Sequence, residues 1–294
     1  MQNIKLASPL YILREQCAND LFAVLKRIKD TGFDGVEFLG FFGHGAIEVR
    51  RCLDDIELSA LGNHVPYQSI LNNLDATLDF HARVGCRYLT VGDWPVSGLP
   101  GSPDWDQTLG ALIKISEQAR KYGITLLYHN HDNELIDHVD GHELLDVILR
   151  ATPKQVLSLE PDLGWIEIGG GDCAYYLARY VDRCPVIHLK DYYSADNSRL
   201  GRVRDFLPRR GSAERGHFEF RPTGYGVLNL ARLMPLCLNC APEWFVMDHD
   251  LAYERDSFAD LKLSLDYVKT LLPLVAHIGL QSNHTVKPPT HYKT

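Results

Sequence analysis

No run of 18 or more apolar residues occurs in the 294-residue chain, so no membrane span is expected. A glycine-rich phosphate loop is also missing. The residues after the first strand-like run read Ala7, Ser8, Pro9, Leu10, Tyr11, which excludes a dinucleotide fingerprint, and no organic cofactor is expected. Positive charge is in short supply: 30 Lys and Arg stand against 38 Asp and Glu, for a net charge of −8 and a pI near 5.9. Without a basic face, a general nucleic-acid binder is disfavoured. Cys237 and Cys240 have zinc or redox spacing but lack a second pair, and the seven cysteines are odd in number and scattered. They read as reduced thiols of a cytoplasmic protein. Strand character begins as early as Ile4, so no signal peptide is expected.

What the chain does have is a rhythm. Strand-like runs fall at 3–7, 35–39, 57–65, 87–91, 125–128, 156–159, 186–189 and 243–247. Helical patterns lie between them at 20–30, 71–84, 106–121, 141–149, 174–182, 227–238 and 258–272. Gly32, Gly85 and Gly123 each end a helical pattern, where a left-handed residue is expected. Eight β/α units of roughly 30 residues predict a single (β/α)8 TIM barrel over residues 1–273, more economically than an open sheet. Residues 274–294 form a C-terminal extension. Residues 192–225 make a long loop after strand seven, with seven Arg against four acidic residues, as in a lid or a solvated loop.

The chemistry-bearing residues sit at the carboxyl ends of the strands. They are His129, Asn130 and His131; Glu160 and Asp162; His188, Lys190 and Asp191; and Asp248, His249 and Asp250. Because side chains alternate along a strand, His129 shares a face with His131, Glu160 with Asp162, and His188 with Lys190. In a parallel barrel that face opens into the active-site mouth. A set of imidazoles and carboxylates there suits one divalent ion (Mn, Zn, Co or Fe). Taken singly, each His reads as a hydrogen-bonded strand-end residue and each Asp as a helix cap. Recurrence at successive strand ends makes the case. Glu37, His64, His131 and Trp165 line the same mouth as candidates for substrate binding, with packing behind the contacting side chains as the alternative for Glu37, His64 and Trp165.

With Gly32–Phe38 (read as Gly-Phe-Asp-Gly-Val-Glu-Phe), Tyr128–Asp132, Glu160–Trp165, His188–Asp191 and Glu243–Asp250, the chain resembles the sugar phosphate isomerase/epimerase family of xylose-isomerase-like TIM barrels, through roughly residues 1 to 273. The resemblance implies a metal held by His129, Asp162, His188 and Asp248. Asp162 and His188 match the family pattern, whereas His129 and Asp248 stand where the family commonly has Glu. His129 belongs to a His-Asn-His variant, in which His131 or Glu134 stands as an alternative ligand. Relatives of that variant include enzymes of keto-inositols and 3-keto-glycosides.

The implied activity is isomerisation or epimerisation of a small sugar or keto-sugar by proton transfer beside a carbonyl, with His129, Asp248 and Lys190 as catalytic groups. The unequal pair of His and Asp suits a lyase or dehydratase reaction as well. A non-catalytic sugar-binding protein with a degenerate metal site is the reading from another class. An abasic-site endonuclease shares the barrel, but the acidic balance argues against it. The expected partner is a small sugar-like molecule, with no nucleic acid and no membrane. Barrels of this type often pair, so a homodimer is compatible with the chain.

Overall fold

The period-two runs become eight parallel strands, each followed by helix. The computed structural model describes residues 4–195, 200, 202–205 and 218–282. The barrel strands are β1 (Lys5–Pro9), β2 (Gly35–Phe38), β3 (Ser59–His64), β4 (Tyr88–Val91), β5 (Thr125–His129), β6 (Ser158–Glu160), β7 (Val186–His188) and β8 (Trp244–Val246). Their order in the sheet is β6-β5-β4-β3-β2-β1-β8-β7, with every neighbour parallel. A parallel bridge between Asp162 and His188 joins the two ends, and the His188 N–H donates to the Pro161 carbonyl at 3.0 Å. The sheet thus closes on itself as a (β/α)8 barrel, which removes its edges.

The helices are α1 (Arg14–Thr31), α2 (Ala46–Asp55), α3 (Tyr67–Asn72), α4 (Leu74–Val84), α5 (Trp105–Lys121), α6 (Asn133–Ile136), α7 (Leu144–Ala151), α8 (Leu163–Ile168), α9 (Cys173–Arg179), α10 (Leu230–Asn239) and α11 (Ser257–Ser282). Helix α1 is kinked at Asp20, whose carboxylate accepts from the Ala23 N–H at 3.0 Å. The helical pattern starting at residue 20 is its second half. Gly32, Gly85 and Gly123 have φ of 103°, 90° and 72°, the left-handed ends expected of them. Helix α2 is absent from the sequence reading. Only Ala46, Val49 and Leu53 are buried along it, a stripe too narrow to stand out among its charges. Half of the Arg-rich 192–225 stretch and the end of the C-terminal extension lie outside the described residues. The described flanks of that stretch, Asp191–Ser194 and Phe218–Arg221, pair antiparallel.

Two layers of core follow from the alternation. Ala7, Leu61, Tyr88, Leu127, Val186, Trp244 and Val246 point inward and fill the lower barrel. A Cβ on Gly35 would lie 2.6 Å from the Trp244 ring, so only glycine fits beside that indole. The outward residues, such as Leu89, Leu126, Tyr128 and Phe245, pack under the helices. The next inward position beyond Leu127 is His129, and beyond Val246 it is Asp248. The period that builds the plug therefore also delivers the polar groups to the mouth.

One buried network ties helix α4 to the loops around the mouth. His81 Nδ1 lies 2.6 Å from the Thr77 carbonyl, so it carries the proton, and Nε2 accepts from the Asn63 amide at 2.9 Å. Asn63 Oδ1 in turn accepts from the Gly40 N–H at 2.7 Å. Burial lowers the His81 pKa from its ordinary 6.5, against the pull of the Thr77 carbonyl. In the unfolded chain this imidazole protonates normally, so its contribution to stability is present above pH ~6.5 and is lost as pH falls. Urea midpoints measured at pH 7.5 and 5.5 should therefore fall less between the two in a His81→Gln variant than in the wild type. Equal falls would refute this assignment.

Candidate active site at the barrel mouth

A cavity of about 620 Å³ opens at the carboxyl ends of the strands, lined among others by Tyr11, Arg14, Glu37, His64, His129, His131, Trp165, His188, Arg204, Asp248 and Asp250. Each side chain arrives by the strand rule. Glu37 lies in β2, His64 ends β3, His129 ends β5, Glu160 ends β6 and His188 ends β7. Asp162, Lys190 and Asp248 stand two residues beyond β6, β7 and β8.

Two groups of possible metal donors result. One is His129, Asp162, His188 and Asp248, the set implied by resemblance. The other is His64, His129, Glu160 and His188. His129 and His188 belong to both.

The outer group already contains a cation. Lys190 is fully buried, with Nζ 2.7 Å from Asp248 Oδ2, 2.7 Å from Asp250 Oδ1 and 3.5 Å from Asp162 Oδ2. Burial disfavours its charge, yet the Asp248, Asp250 and Asp162 carboxylates raise its pKa above the usual lysine value. Asp248 has both oxygens engaged: Oδ1 accepts from the His249 N–H at 2.8 Å, and Oδ2 faces Lys190 and His188 Nδ1, the latter at 3.1 Å. Against the cost of burial, Lys190 and His188 hold its pKa well below the ordinary range. Asp162 is the opposite case: burial raises its pKa well above the usual value despite Lys190. Its Oδ1 caps α8 by accepting from the Trp165 N–H at 2.9 Å.

The inner group has few partners of its own. Glu160 is fully buried, and neither of its oxygens is hydrogen-bonded. The same holds for Glu37 Oε1, His64 Nε2, His129 Nδ1 and His188 Nε2. Burial opposes charge on His64, but Glu37 and Glu160 raise its pKa to about 10. His188 is driven the same way by Glu37, Glu160 and Asp248. His129 is pushed down to about 3 by burial, with His188 and His64 acting in the same direction. Burial, with His129 and Arg204 acting in the same sense, keeps His131 neutral. Its Nδ1 is buried without a hydrogen-bond partner.

Glu134 lies outside both groups: it accepts from the Tyr128 hydroxyl at 2.9 Å and from the His131 N–H at 2.8 Å. Trp165 is 1% exposed, and its ring lies 5.4 Å from Lys190 Nζ and 5.4 Å from the His131 ring. Glu160, which shares a strand face with Asp162 in the sequence but carries no assigned role there, becomes a member of the inner group. Its signal was its place two residues before Asp162 on the same strand face. Asp191, read as a helix cap, instead pins the following loop by accepting from the Gly224, Gly226 and Leu228 N–H groups, each at 3.0 Å. All seven cysteines are free thiols, and six of them are buried. No helix among the described residues is long and apolar enough to cross a membrane.

Comparison with known proteins agrees with this architecture. The family model described as "Xylose isomerase-like TIM barrel" matches residues 25–246. An inosose dehydratase of Bacillus licheniformis is 27% identical over 194 residues, covering 59% of this chain and 63% of the relative. The chain thus spans somewhat less than two thirds of the length of the curated relatives it matches. The crystal structure of a sugar phosphate isomerase/epimerase from Parabacteroides distasonis superposes with a TM-score of 0.70 at 19% identity, over 92% of this chain and 95% of the other. A xylose isomerase-like TIM barrel protein from Mycobacterium smegmatis, in complex with magnesium, gives 0.64 at 17% identity, over 93% and 98%. At these identities the likeness to solved structures is one of fold.

Proposed function

The chain belongs to the xylose isomerase-like TIM barrel family, and from that premise we propose that it is a metal-dependent lyase that removes water from a small keto-inositol-like polyol. The reading rests on the unequal proton-transfer groups of the mouth. Epimerisation or isomerisation through opposed bases needs a free base on each face of the substrate. Here the Asp248 carboxylate is occupied by Lys190 and His188, which makes it a poor base. The neutral imidazole of His131 lines the cavity with an unpartnered Nδ1.

One basic face suits elimination. His131 takes the proton beside the carbonyl, and the electron pair of the broken C–H bond passes into the enolate. The same imidazolium then returns the proton to the β-hydroxyl, whose C–O bond breaks as the carbon–carbon double bond forms and water leaves. His129 and His188 would hold a divalent ion, and such an ion would supply Lewis-acid polarisation of the substrate carbonyl. The orphaned imidazole and carboxylate atoms around those two residues fit such an ion. The inosose dehydratase relatives supply the substrate class.

The test is incubation with keto-inositols in D2O. Loss of water from the substrate is the expected product change. Deuterium incorporated into an inverted, undehydrated sugar would replace the proposal with epimerisation, and binding without turnover would leave a binding protein. A His131→Gln variant should retain folding and lose about 10²–10⁴ in kcat, as for removal of a positioned acid–base group. An unchanged kcat would remove His131 from the role.

A further inference from the structure

Two donor groups share His129 and His188, and the chain's own charges choose between them. Resting on the metal-dependent reading above, we propose that the divalent ion sits on His64, His129, Glu160 and His188, with Glu37 beside it, and that Lys190 takes the cation's place at the outer carboxylates.

The first argument is spacing. Ligands at about 2.1 Å from one ion lie about 3.0 Å apart across an octahedral edge and about 3.4 Å apart across a tetrahedral one. In the inner group His64 Nε2 to Glu160 Oε2 is 3.1 Å, and the adjoining Glu37 Oε2 lies 3.0 Å from His188 Nε2. His64 Nε2 to Glu37 Oε2 is 3.2 Å, His129 Nδ1 to Glu160 Oε2 is 3.4 Å, and His188 Nε2 to Glu160 Oε1 is 3.6 Å. None of these ring nitrogens is hydrogen-bonded to the carboxylate it faces, and both Glu160 oxygens are orphaned. Buried polar atoms that converge without satisfying one another call for another partner. In the outer group, His129 Nε2 to Asp162 Oδ2 opens to 3.9 Å.

The second argument is occupancy by a side chain. Asp248 has no free oxygen, since Lys190, His188 and the His249 N–H engage both. A divalent ion within ligand distance of Asp248 Oδ2 would meet the Lys190 ammonium, which lies 2.7 Å from that same oxygen. Like charges that close inside a protein are disfavoured. Among the described residues, no lysine or arginine pairs with the carboxylates of the inner group. The inner set also differs in kind, offering three imidazoles against two, which favours Zn, Co, Mn or Fe over Mg.

The test reads metal rather than turnover. The full chain, stripped with chelator, is titrated with Mn²⁺ by electron paramagnetic resonance, and the Co²⁺-loaded protein is studied by X-ray absorption. Glu160→Gln and His64→Gln, which each remove a ligand, should weaken Mn²⁺ binding by more than about 100-fold, whereas Asp248→Asn, which alters only the group behind His188 Nδ1, should cost no more than about 10–100-fold. X-ray absorption on the unmutated protein should count three imidazoles, a readout that does not depend on any variant folding. Two imidazoles, or Mn²⁺ binding lost in Asp248→Asn and kept in Glu160→Gln, would overturn the inner site and leave metal dependence standing. No binding of either ion by the wild type would overturn both.

Discussion

A His188→Ala variant should lose at least about 10³ in kcat/KM and bind divalent metal no better than background. His188 is the hinge of the mouth because its two ring nitrogens face different groups. Nδ1 lies 3.1 Å from Asp248, whereas Nε2 lies 3.0 Å from Glu37 and 3.6 Å from Glu160. It belongs to both donor groups, so the expected loss does not depend on which one holds the ion. The variant also removes the imidazole that these three carboxylates share. Added free imidazole should return part of the metal binding, because the residue borders the cavity. Circular dichroism separates loss of the site from loss of the fold. Full activity in a folded His188→Ala protein would eliminate metal chemistry at this mouth.

The second large effect concerns stability. Lys190→Met should destabilise the barrel by about 3–5 kcal/mol at neutral pH, the range for removing one partner of a buried charge cluster. Met matches the length of the alkyl stem, so the missing ammonium dominates over lost packing. Asp162, Asp248 and Asp250 would then face one another without Lys190, and the carboxylates would hold protons more tightly than in the unfolded chain.

The pH dependence follows from that. In the wild type, Asp248 is held below its ordinary pKa, so its contribution is present above the unfolded carboxylate value of about 3.9 and is lost as pH falls through the folded one. In Lys190→Met the sign reverses: the raised carboxylates contribute below about pH 4, and that contribution disappears as pH rises. Urea unfolding should therefore show the variant closest to wild type in mild acid and furthest from it at pH 7.5. A second change, Asp250→Asn, should recover part of the loss. A pH-independent difference would mean that Lys190 acts through packing alone.

The barrel was legible in the chain because its cause is local. Period-two runs such as Thr125–His129 and period-3.6 runs such as Trp105–Lys121 carry their own face assignments, and glycines at helix ends mark where each unit stops. The same period placed His129, Asp162, His188 and Asp248 on the inward face without reference to any other strand. Helix α2 escaped because three buried residues among charges make no distinct stripe.

What only the tertiary structure decided is which of those inward groups meet. Glu160 looks ordinary in sequence. It becomes central because β5 and β7 flank β6, and β3 faces it across the mouth, so that three imidazoles reach its two oxygens. Lys190, on the His188 face, is open in sequence to a substrate contact or to a salt bridge with a neighbouring carboxylate, and closure of the barrel sets it among three carboxylates. Strand alternation determines the direction of a side chain. The charge it meets there is set by distances across the barrel, between residues far apart in the chain.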